Sequence, residues 1–305
     1  MGRPLFAAHA VPFVIPFSPC LRALRRALYC LVPTCIALFA SHAPAMGLTV
    51  LLADDSVPHA EFARQVRTTV EDAPVTIAVG MAAARAAIDR PGVEPLLLAM
   101  LTRLDYESLR GDPGLLRADR RVGVLLRDPA MADQLALIDA VLPQKRRLGV
   151  VATIESAPLV RELERAAAGW DVKVQYAPDP TALAAALRLV VARSDALMVL
   201  PDRIGDSQAA TLAVLHAGAG ATLPVFGASD GLVRSGGLAA AVSTPTQLAA
   251  QARAIVQKLQ RGAGGVVLVE AATPATVRVN TTVARGLGLR LPDERELTER
   301  VTAPR

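Results

Sequence analysis

From Leu48 onward, short apolar runs alternate with stretches in which apolar residues recur every third or fourth position. The runs Leu48–Ala53, Val75–Val79, Pro95–Ala99 and Val122–Leu126 predict a first series of buried strands. Leu148–Ala152, Val172–Tyr176, Ala196–Leu200 and Pro224–Gly227 predict a second. Helical spacing fills the gaps at His59–Val70, Ala82–Asp89, Met131–Leu142, Leu159–Ala168, Thr181–Ala192 and Ser207–Ala217. This order belongs to α/β proteins, whose crossover helices cover both faces of a parallel sheet. Two consecutive series predict two doubly wound, Rossmann-like lobes. A single eight-unit barrel fits poorly, because residues 100–121 break the even spacing it needs. Thr246–Gln260 is a further amphipathic helix, opened by the cap-and-proline start Ser243-Thr244-Pro245. Val266–Glu270 and Thr276–Asn280 are expected strands, and the chain from Thr281 reads as a helical tail.

Charge changes the picture mainly at the amino end. The formal charge is +5, from 33 Lys and Arg against 28 Asp and Glu. Arg3, Arg22, Arg25 and Arg26 all lie within residues 1–45, which hold no acid, so the remainder carries 29 basic against 28 acidic residues. The basic balance is therefore local, and with aromatic residues at 3% a nucleic-acid partner is not expected. Arg22, Arg25 and Arg26 precede the uncharged apolar run Ala27–Ala40, and Ala43-Pro44-Ala45 places small residues before Met46. That three-part order is the secretory pattern, and it predicts a signal peptide over 1–45 cleaved after Ala45. An uncleaved anchor and a start of translation nearer Arg22 are the alternatives; against the anchor, the run is shorter than the roughly 20 residues a spanning helix needs. Cys20, Cys30 and Cys35 all fall in this leader. The chain from Met46 then has no disulfide, thiolate metal site or cysteine nucleophile. It is expected in the periplasm.

Catalytic motifs fail one by one. Asp54-Asp55 after the first strand resembles the metal pocket of a phosphoacceptor domain, but Gly80-Met81-Ala82 stands where the accepting carboxylate should be. Gly227-Ala228-Ser229-Asp230-Gly231 fits the nucleophile elbow of an α/β-hydrolase. Its base should be a histidine downstream, and the histidines from Met46 onward, His59 and His216, both lie upstream. From Met46 onward, two histidines without cysteine do not predict a zinc site. Gly218-Ala219-Gly220 lacks the third glycine of a dinucleotide fingerprint, and Gly262-Ala263-Gly264-Gly265 lacks the Lys-Ser/Thr of a phosphate loop. No cofactor and no metal are predicted, and binding is favoured over catalysis.

Four segments carry a resemblance. They are Gln134–Ala152 (QLALIDAVLPQKRRLGVVA), Asp195–Asp202 (DALMVLPD), Leu223–Ala241 (LPVFGASDGLVRSGGLAAA) and Val279–Pro292 (VNTTVARGLGLRLP). They resemble the solute-binding proteins of bacterial ABC transporters, in the branch related to tryptophan/tyrosine-type binding proteins. Val79-Gly80 stands where that family has a strand-end Gly-Thr. The resemblance implies two lobes joined by hinge strands, a small solute clamped between them, and a permease or other inner-membrane partner. It implies a first lobe over 46–127 plus 243–280, a second over 128–242, and a tail from 281 to 305. Strand ends then supply the expected ligand-binding residues: Asp54, Asp55, Ser56, Gly80, Met81, Asp128, Thr153, Glu155, Ser156, Asp202, Ser229 and Asp230. The acids among them favour an amine-bearing or amino-acid-like solute. The alternative is an accessory or sensory protein that keeps the bilobal fold and contacts a protein partner.

Overall fold

In the computed structural model, residues 47–70, 73–262 and 264–303 are described. The leader expected over 1–45 lies outside the described residues. The elements run β1 (Thr49–Leu52), α1 (Val57–Thr69), β2 (Thr76–Val79), α2 (Met81–Ile88), β3 (Leu96–Leu101), α3 (Arg103–Leu109) and β4 (Val122–Pro129). They continue α4 (Met131–Val141), β5 (Arg147–Ala152), α5 (Ala157–Ala166), β6 (Asp171–Tyr176), α6 (Pro180–Val191), β7 (Ala196–Val199), α7 (Arg203–Asp206) and α8 (Gln208–Gly220). Then come β8 (Val225–Gly227), α9 (Asp230–Arg234), β9 (Ala239–Val242), α10 (Pro245–Arg261), β10 (Val267–Ala272), β11 (Thr276–Val279), α11 (Thr281–Gly286) and α12 (Glu294–Thr302).

Two Rossmann-like sheets result. The first has the order β1-β2-β3-β4-β10 and is parallel throughout. The second has the order β11-β9-β8-β7-β5-β6, parallel except where β11 pairs antiparallel with β9. Strands β2 and β3 are buried along their whole length, which is why they read as unbroken apolar runs. Phe62 and Val66 of α1 and Leu248 and Ile255 of α10 cover one face of the first sheet, and Ala84 and Ile88 of α2 the other. On the second sheet, α4, α5, α11 and α12 cover one face and α6 and α8 the other. Among the described residues, no helix is long and apolar enough to cross a membrane.

Side-chain caps set where many helices begin. Thr102 and Asp105 form a reciprocal capping box at α3, with 2.9 Å bonds in both directions. Asp179, Ser207, Thr244, Asn280 and Asp293 each accept a backbone N–H at a helix start.

The structure departs from the sequence reading in several places. Residues 103–109 are helical, where no element was expected. Ala239–Val242 is a strand whose alanine-rich run carries little β propensity; buried pairing with β8 and β11 places it there. Thr276–Val279, assigned by the sequence to the first lobe, joins the second sheet, because β10 leads directly into a partner for β9. Gly218-Ala219-Gly220 extends α8 beyond Ala217, where the expected helix ended.

Three segments connect the sheets: β4 to α4, β9 to α10, and β10 to β11. Ser243 Oγ donates to the Thr273 carbonyl (2.7 Å), and the Ala275 N–H to that of Val242 (2.9 Å), so two crossings are hydrogen-bonded to each other. Further contacts join the lobes beside the first crossing. Arg103 of α3 lies 3.1 Å from Glu162 of α5, whose other oxygen accepts the Met131 N–H at the start of α4. Leu104 packs on the core of the second lobe.

Candidate functional site

A cavity of about 350 Å³ opens at the carboxyl ends of β4, β7 and β8. Strand ends are where the side chains of a parallel sheet give way to loops, and where such sheets bind ligands. The first sheet contributes Arg127 and Asp128, the polar end of the otherwise apolar β4. The second lobe contributes an apolar wall from Val199, Leu200, Pro201, Leu212 and Leu232, and polar groups from Asp206, Gln208, Thr211, Ser229 and Ser235.

Asp128 is the unusual group. Its Oδ2 is buried and has no hydrogen-bond donor among the described residues, although Arg127 Nε stands 3.5 Å away. Burial pushes the Asp128 carboxyl up to about 6, against the pull of Arg127. Arg127 is shared, since its Nη2 lies 3.2 Å from Asp206. Burial opposes the Arg127 charge, but Asp128, Asp206 and Asp105 outweigh it and its pKa rises. One guanidinium thus faces two carboxylates on the cavity wall, and the local balance is negative.

The other expected residues lie in separate groups. Asp54 Oδ1 accepts the Ser56 N–H and lies 2.9 Å from His59 Nδ1. Hydrogen bonds from Ser56 and then His59 hold this exposed carboxyl at about 2. His59 covers Gly80, where a Cβ would meet the imidazole at 2.7 Å, and Gly80 has φ +83°, a conformation that favours glycine. Met81 starts α2 and packs partly on the core, and Asp55 is exposed. None of these five lines the cavity.

A buried network holds the next group. Ser156 Oγ donates to Asp202 Oδ2 at 2.5 Å and lies 2.9 Å from Thr153 Oγ1. Asp202 Oδ1 accepts the N–H groups of Ile204 and Gly205, capping α7. Burial raises the Asp202 pKa, and these hydrogen bonds work against that rise. Its oxygens are therefore engaged by the fold, and they fasten the α7 wall of the cavity to the loop after β5. Glu155 is exposed beside them.

Ser229 lines the cavity and caps α9, accepting the Leu232 N–H at 3.1 Å. Its hydroxyl thus does the work of a helix cap at the elbow-like motif. Asp230, the next residue, points to an ion pair with Arg234 and lies 3.9 Å from Arg278. Of the expected residues, the cavity brings together Asp128 and Ser229. Sequence reasoning missed Arg127, Asp206, Gln208, Thr211 and Ser235. The pair Arg127-Asp128 at the end of an apolar strand was the available signal for the first of these.

A sequence model of the family described as ABC transporter substrate binding protein matches residues 117–299. Among solved structures, the chain is similar to an ABC domain from Streptococcus pneumonia in complex with L-Trp, at 17% identity and a TM-score of 0.55, over 81% of this chain and 95% of that one. It is also similar to the ligand-free, open structure of a substrate binding protein with adhesive properties from Clostridium difficile. That match has 16% identity and a TM-score of 0.64, over 81% of this chain and 96% of that one. A conserved domain protein from Vibrio cholerae matches at 22% identity and a TM-score of 0.53, over 80% and 82% of the two chains. At these identities the likeness is one of fold. No curated protein sequence matches the chain.

Proposed function

The chain belongs to the ABC transporter substrate binding protein family, and on that premise we propose that it is an exported protein which carries a small amine-bearing solute to a permease. The observation that carries the solute class is Asp128, a buried carboxylate with one oxygen lacking a donor, in a cavity whose other charges are Arg127 and Asp206. An ammonium supplies the missing donor and offsets the excess negative charge. An apolar wall beside this charged cluster suits an amino acid or a comparable amine, and about 350 Å³ is the lower end of small-ligand sites. The neighbour bound to L-Trp supports the amino-acid-like reading.

In this reading the lobes close about the three crossing segments, and the solute shifts the population toward the closed form by binding it better. Closure brings the strand-end residues of the first lobe, Asp54 to Ser56 with Gly80 and Met81, toward the solute. The protein binds and releases without turnover. The leader over 1–45 directs export and is removed after Ala45, which leaves the protein in the periplasm.

The test is a thermal-shift screen of amino acids, amines, nucleosides and short peptides on protein purified from the periplasm. A ligand at 100 times its Kd adds about 2.7 kcal/mol, which moves the midpoint of a domain this size by roughly 5–10 °C. The expected result is a shift with amines that Asp128→Asn abolishes. A shift confined to uncharged or anionic compounds sinks the amine reading. Silence across the panel favours the accessory-protein alternative, which a pull-down from periplasmic extract then addresses.

A further inference from the structure

We propose that Asp206 is an internal competitor for Arg127, displaced by a solute that carries a carboxylate beside its amine. Arg127 is then the residue that tells such a solute from a plain amine, and Asp206 sets how tightly it is held. This rests on the reading of Asp128 as the anchor of the amine.

The end of β4 brings the two charges together. Neighbours on a strand point to opposite faces, yet Arg127 and Asp128 both line the cavity. Between the pairings with Leu125 and Pro129 of β4, β10 advances two residues, from Glu270 to Ala272, while β4 advances four. Such an irregularity re-aims side chains beside a site. Arg127 Nε stands 3.5 Å from Asp128 Oδ2, the buried oxygen without a hydrogen-bond donor among the described residues. A cation and an anion thus sit side by side on one wall, close enough to meet an ammonium and a carboxylate borne on one carbon.

Among the acids nearby, Asp206 is the one that can yield. Asp105 is held by the Thr102 N–H at 2.9 Å in the capping box of α3. Asp202, one turn before Asp206, is held by Ser156 and by the backbone of α7. Asp206 is exposed, and among the described residues its carboxylate bonds to Arg127 alone, with Oδ1 3.2 Å from Nη2. It stands on α7 of the second lobe and Arg127 on β4 of the first, so the pair bridges the cavity wall. An ion pair open to water gains little and is readily exchanged. A solute carboxylate in place of Asp206 keeps Arg127 paired, while the solute's ammonium answers Asp128. A plain amine answers Asp128 and leaves the Arg127–Asp206 pair as it is.

Titration calorimetry on protein purified from the periplasm tests this, with L-amino acids set against their own decarboxylated amines (leucine and isoamylamine, tryptophan and tryptamine). Wild type should favour the amino acid of any pair it binds. Asp206→Asn removes the competitor and one negative charge, so the amino acid should bind up to about fivefold tighter and its amine more weakly. Arg127→Gln should weaken the amino acid about tenfold or more and leave its amine as tight or tighter. A change that only loosens the fold weakens both members of a pair and does not produce these opposite movements. A crystal structure with the amino acid bound should show its carboxylate on Arg127 and Asp206 turned away. Equal affinity within every pair, variants that move both members alike, or Asp206 still on Arg127 beside a bound amino acid overturns the exchange and leaves Asp128 as the amine's anchor. If neither member of any pair binds, the reading of the site fails and the exchange with it.

Discussion

Asp128→Asn keeps the shape of the carboxyl and removes its charge at the position where burial lifts its pKa from 3.8 to about 6. A folded-state value above the unfolded one means that the native protein holds the extra proton between those two pH values. Stability from this group is then fully present below about 4 and is lost as pH rises through 6. The shift is about two units, and each unit is worth about 1.4 kcal/mol, so ionised Asp128 costs the fold about 3 kcal/mol at pH 7. Chemical denaturation of wild type and variant at a series of pH values reads this directly. The two should be nearly equal in stability at pH 4, and the variant should pull ahead between pH 4 and 6 to a lead of about 2–3 kcal/mol at neutral pH. Binding should move the opposite way. Loss of a buried counter-charge weakens an amine ligand by about 2–5 kcal/mol, or at least thirtyfold. In wild type, the same affinity should fall about tenfold per pH unit below 6 as Asp128 protonates. Parallel stability curves, or a variant less stable than wild type at neutral pH, would refute the desolvated-carboxylate account.

Ser156→Ala leaves a buried Asp202 oxygen without its 2.5 Å donor. It should cost about 1–3 kcal/mol in denaturation, and a change under half a kcal/mol would remove the network from the argument. Gly80→Ala forces an L side chain to φ +83° and against His59. It should cost about 1–2 kcal/mol, part of which His59→Ala should return; no rescue would place the strain in the backbone alone. Arg103→Ala breaks the 3.1 Å pair with Glu162 beside the first crossing. It should broaden the interlobe distance distribution measured between spin labels on the two lobes, and an unchanged distribution would deny the pair a part in setting the lobe angle.

Period and punctuation along the chain were enough to read its architecture. Buried parallel strands announce themselves as apolar runs because both of their faces meet helices, and the intervening 3.6-residue spacing marks those helices. Asp128 was legible for the same reason, as a carboxylate where an apolar strand runs out. What could not be read locally depends on pairing between distant segments. The alanines of β9 become a strand only because β8 and β11 flank them. Asp202 looks like a free strand-end acid until Ser156, distant in sequence, takes one oxygen and the α7 backbone the other. Arg127, Asp206 and Thr211 form one wall only after α7 and α8 fold against β4. Side-chain periodicity encodes which face of an element is buried, whereas the tertiary arrangement decides what buries it and which polar groups remain unpaired.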